Sequence, residues 1–105
     1  MSRIDADHVD VIASALEEYR VLNPPDRQYP ADAATVIVEY LATERLTIRP
    51  GSRDDHSRLI ASALEDFRVL VPPGRQTPSA AAEMVAEYLA SFAFTIHPDP
   101  ADAGA

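Results

Sequence analysis

The sequence predicts a mainly α protein: a tandem duplicated helix–loop–helix–short strand unit forming a pseudo-two-fold four-helix domain. Three observations carry that expectation. Shifted by 48 positions, residues 7–50 align with residues 55–98 without a gap, and 25 of the 44 pairs are identical. Apolar residues recur at helical spacing twice in each copy. Each copy is broken by a proline pair and closes on Thr-Ile-x-Pro. The expected organisation is one domain over 1–105, with repeats 7–50 and 55–98, a linker at 51–54 and a tail at 99–105.

In the first helix of each copy, Val11, Ile12, Ala15, Leu16, Tyr19 and Leu22 form an apolar stripe. Leu59, Ile60, Ala63, Leu64, Phe67 and Leu70 repeat it. Asp5 or Asp7, and Asp54 or Asp55, precede these helices as N-cap candidates. Pro24-Pro25 and Pro72-Pro73 must end them, because proline has no N–H and restricts the residue before it.

The second helices start near Pro30 and Pro78, a residue favoured in the first turn. Thr77 is a natural N-cap, and Asp32 and Glu83 put negative charge near the positive end of the dipole. Ala34, Ile37, Val38 and Leu41 make the buried stripe, matched by Ala82, Val85, Ala86 and Leu89. Leu46-Thr47-Ile48-Arg49 and Phe94-Thr95-Ile96-His97 then alternate as short strands, which can pair as a two-stranded antiparallel ribbon. A unit of about 45 residues buries too little surface to stand alone, so the copies are expected to pack face to face.

Seventeen acidic and nine basic residues give 9 − 17 = −8, with 47% hydrophobic and 25% charged residues. That balance belongs to a globular protein and disfavours nonspecific nucleic-acid binding. Zero cysteines remove disulfides, iron–sulfur clusters and thiolate zinc sites. No apolar run reaches the roughly 20 residues of a membrane span, and the start lacks a signal-peptide pattern. A cytoplasmic protein is expected, or one of host cytoplasm or virion if viral. All nine basic residues are Arg and 18 residues are Ala, a coding bias that points to a GC-rich genome, bacterial or viral.

No motif carries catalysis. Asp7-His8 and Asp55-His56 repeat, but helical neighbours do not face each other, so cap and first-turn roles are expected. A metal cluster of Asp5, Asp7, His8 and Asp10 is rejected, since Arg53 and Arg58 replace two of its members in the second copy. The three glycines form no phosphate-binding loop, and no cofactor is expected. Glu17 with Arg20, and Glu65 with Arg68, are spaced for surface ion pairs. Tyr40 and Tyr88 are expected to pack with their hydroxyls at the rim.

Two sets of residues are candidates for binding a partner. Arg27-Gln28 and Arg75-Gln76 lie in the Pro-bounded loops, where a guanidinium can take a carboxylate or phosphate. The competing role is capping of the preceding helix by Arg, which is the more ordinary one. Phe92 and Phe94 are the second set. Comparing copies, Glu44 becomes Phe92 and Arg45 becomes Ala93, the largest chemical change between them. The Phe92 ring fills the junction between repeats, the favoured reading, or anchors another chain.

The leading functional expectation is a non-enzymatic protein-interaction module: an adaptor, accessory or assembly factor with a protein partner. Self-association is compatible with it. The alternatives are an acidic nucleic-acid-mimic inhibitor and a small enzyme or ligand binder at the repeat interface.

Overall fold

The prolines set the breaks in the chain, and the computed structural model describes residues 6–98. The candidate cap Asp5 and the tail 99–105 lie outside the described residues. Helix α1 (Ala6–Leu22) leads through a three-residue 3-10 turn, Pro25–Arg27, to α2 (Pro30–Thr43) and strand β1 (Leu46–Arg49). Helix α3 (Arg53–Leu70), a 3-10 turn at Pro73–Arg75, α4 (Pro78–Ser91) and β2 (Thr95–Pro98) follow in the same order.

Where the helices begin corrects one expectation. Neither Asp54 nor Asp55 caps α3. Ser52 does, in extended backbone, with its side chain accepting from the Asp55 amide at 3.3 Å. Asp55 sits in the first turn and its Oδ2 accepts from the Ser52 amide at 3.3 Å, closing a reciprocal capping box. The preceding Gly51 has φ +95°, a backbone turn that favours glycine and lets the helix start at Arg53. Residues 53 and 54 are therefore helical and not part of a connecting loop. Thr77 caps α4 as expected, accepting from the Ala80 amide at 3.1 Å. Tyr29 holds the same place before α2 without a side-chain cap bond, and Pro30 is in the first turn.

The helix ends explain the strand boundaries. Arg45 and Ala93, the second residues after α2 and α4, take φ of 61° and 64°. The Ala93 amide donates to Ala90 O at 3.0 Å and the Phe94 amide to Leu89 O at 2.8 Å, a complete Schellman motif. Phe94 thus belongs to the helix cap, and β2 starts one residue later than its alternation suggested. The strands pair antiparallel: Leu46 with Pro98, Thr47 with His97, Ile48 with Ile96 and Arg49 with Thr95.

α1 packs on α2 and α4, α3 packs on α2 and α4, and β1 lies on α2. Ile12, Ala15, Leu16 and Tyr19 of α1 meet Ile60, Ala63, Leu64 and Phe67 of α3 in one core with Ala34, Ile37, Leu41, Ala82, Val85 and Leu89. Ile48 and Ile96 close it from the ribbon. Ala86 of the expected stripe is only half-buried. Leu22 and Leu70 depart further: they are 69% and 71% exposed. The Tyr19 hydroxyl accepts from the Tyr29 amide just ahead of α2, so the shared core ends at Tyr19 and the last turn of α1 overhangs it.

Candidate functional site

The loops that join α1 to α2 and α3 to α4 meet at one end of the bundle, and their chemistry begins with two glutamines. Gln28 Nε2 donates to Asn23 O at 2.8 Å and Arg20 O at 3.4 Å. Gln76 Nε2 donates to Val71 O at 2.8 Å and Arg68 O at 3.2 Å. Both amides satisfy carbonyls left open at the end of the preceding helix. The capping role expected of Arg falls to Gln, whose short planar amide reaches back across the Pro-rich turn. Arg27 and Arg75 are left exposed.

The loops are held differently. Tyr19 Oη accepts from the Tyr29 amide at 2.9 Å and lies 3.3 Å from Arg27 O, so one hydroxyl ties the first loop to α1. Phe67 stands at the matching place in α3 and has no hydroxyl to offer. There the Thr77 amide turns to Arg75 O at 3.1 Å.

Between the two loops lies a groove of about 490 Å³. Leu16, Tyr19, Leu64, Phe67, Ala33 and Ala81 line it, with Pro30, Pro73 and Pro78 at the edges. Gln28, Gln76, Tyr29 and Thr77 contribute polar atoms, and its charged lining is Arg20 and Arg68 alone. Each arginine makes one loose contact at 3.5 Å, to Glu17 and Glu65 respectively, with every side chain more than half exposed. Such pairs are worth little. Val21 and Val69, which follow Arg20 and Arg68 in the chain, are 74% and 75% exposed, and the groove-lining Tyr29 is 55% exposed.

The sequence assigns Leu22 and Leu70 to the apolar stripes and gives Val21 and Val69 no role. Leu22 and Leu70 continue a helical stripe and read as core. The available signal was the Arg-Val-Leu run just before each proline pair, where a helix must stop and its last turn can lose its neighbours.

Phe92 and Phe94 stand at the other end of α4, about 20 Å from its start by helix rise. Phe92 follows the helix as its C-cap and is 62% exposed, so it does not fill the junction between halves. Phe94 is half-buried against the core and stands edge-on to His56, with ring centroids 5.4 Å apart at 86°. His56 is buried rather than a cap: its Nε2 lies 2.6 Å from Pro50 O, while Asp55 beside it faces Ser52. Tyr88, half-buried, hydrogen-bonds Asp66 through its hydroxyl. Among the described residues, no three His, Asp or Glu side chains gather as metal ligands. No helix of the described residues is long and apolar enough to cross a membrane.

No protein-family model, no curated protein and no solved structure matches this chain.

Proposed function

We propose that the chain is a non-enzymatic protein-interaction module, an adaptor, accessory or assembly factor built by duplication of one helix–loop–helix–strand unit. The observation that carries this reading is the exposed apolar end: Val21, Leu22, Val69 and Leu70, which follow the groove-lining Arg20 and Arg68 in the last turns of α1 and α3, stand 69–75% exposed. Burying a side chain of this size is worth about 1.5–3 kcal/mol, and exposed apolar patches mark docking sites. The duplication reading is supported by the 25 identities in 44 pairs. It is also supported by the ribbon, where Ile48 faces Ile96, its own counterpart 48 residues on. A pseudo-two-fold axis through that pair exchanges α1 with α3 and α2 with α4.

Affinity capture with the full chain tests the interaction reading. Wild type is expected to retain a partner that the double variant Leu22→Glu, Leu70→Glu loses at unchanged melting temperature. Identical captures from both would remove the loop end as the docking surface, and Phe92→Glu then tests the other end. A small-ligand binder is the second reading, favoured by a groove volume inside the roughly 300–1,000 Å³ usual for ligand sites.

A further inference from the structure

We infer that the groove at the loop end takes an acidic peptide segment, with apolar side chains seated over Leu64 and Phe67 and carboxylates held by Arg68 and Arg75. This rests on the interaction-module reading and names the chemistry of its partner.

Charge complementarity is the ground for it. The chain carries net charge −8, yet the charged residues that line the groove are both arginines. The two sides of the groove also differ. Across residues 19–34 the charged residues are Arg20, Asp26, Arg27 and Asp32, which sum to 2 − 2 = 0. Across the matching residues 67–82 they are Arg68 and Arg75 alone, +2. Gly74 and Ala80 stand where the first half has Asp26 and Asp32. The second half therefore offers an apolar wall and two cations, with Glu65 and Asp66 just before that stretch and Glu83 just after it.

The arginines are free to change partners at low cost. Arg68 meets Glu65 through one nitrogen at 3.5 Å, with both side chains more than half exposed. A guanidinium has five N–H donors in a planar fork, so a carboxylate docking from outside gains a bidentate contact that Glu65 does not make. Gln76 lines the groove and fixes its loop by holding the end of α3, and the exposed Arg75 directly precedes it in that loop. A second copy docking groove to groove would bring its own Arg20 and Arg68 to a surface whose charged lining is already arginine, a like-charge contact.

Fluorescence anisotropy tests this with three short fluorescein-labelled peptides: Leu and Phe interspersed with Glu, the same peptide with Lys for Glu, and the same with Ser for Glu. The Glu peptide is expected to bind the full chain at least about tenfold more tightly than the Ser peptide, with the Lys peptide weakest. Arg68→Gln with Arg75→Gln should cost about tenfold, and Arg20→Gln with Arg27→Gln clearly less, both at unchanged melting temperature. Equal binding of the Glu and Lys peptides overturns the inference, as does no binding of the Glu peptide. So does self-association in sedimentation that Leu22→Glu with Leu70→Glu dissolves, since the groove then belongs to a second copy. If the Glu peptide fails while the leucine double variant still loses a captured partner, the acidic class falls and the module stands. If neither binding event is seen, the acidic class falls and the loop end is not the docking surface.

Discussion

At residue scale, one hydroxyl separates the two loops. Tyr19 Oη holds the Tyr29 amide, and Phe67 has nothing to offer in its place. Tyr19→Phe is therefore expected to cost about 1 kcal/mol, or a fall in melting temperature of roughly 4–8 °C. Thermal unfolding followed by circular dichroism measures it, with hydrogen exchange at Tyr29 as the local probe. An unchanged amide exchange rate would mean the tether contributes nothing. Phe92 makes the opposite case. At 62% exposure it has little packing to lose, so Phe92→Glu should shift the melting temperature by less than about 2 °C. A large drop would show the ring to be core after all. Aligning residues 7–50 with 55–98 exposes the oddity of Phe92, but not which side of the surface it occupies. That depends on where a helix stops, and a single turn more or less moves a ring between core and solvent.

At element scale, the helix ends hold the tests. Ala93 occupies a left-handed position, φ 64°, at the cap of α4, where a side chain crowds the backbone and glycine does not. Ala93→Gly is expected to stabilise by roughly 0.5–1 kcal/mol in urea unfolding, after the entropy glycine adds to the unfolded chain. At the start of α3, Ser52→Ala should cost about 1 kcal/mol because it opens the capping box, whereas Asp54→Ala should cost little more than its share of dipole stabilisation. Equal costs for the two would contradict the assignment of Ser52. Neither position is assigned by the residues alone. Ser52, Asp54 and Asp55 are all competent caps, and the choice among them is made by the turn at Gly51. The prolines, by contrast, punctuate the chain at the places expected, since their effect is covalent and local.

At the scale of the whole molecule, each half packs on the other. α2 rests on α3 and α1 on α4, while β1 has its ladder partner in β2. Residues 1–52 alone are expected to be unfolded or to dimerise, with a second β1 replacing β2 and Ile48 facing its own copy. Sedimentation equilibrium with circular dichroism on that fragment decides between outcomes, and a folded monomer would show the half to be self-sufficient.

Period, proline and the self-match at 48 are enough to read four helices, two short strands and their order from the residues alone. Each of those signals acts over a few neighbouring positions, through backbone sterics and the spacing of apolar side chains along one helix. What only the tertiary structure decided is which of those apolar positions are covered. Ile12 and Leu22 lie on the same stripe of α1, yet the first is fully buried and the second is 69% exposed, because α2 starts opposite Tyr19 and Leu22 lies past that point. Burial is a property of the neighbours, not of the residue. For that reason the loop-end groove, with Arg20 and Arg68 in its lining, appears only when the two halves are set side by side.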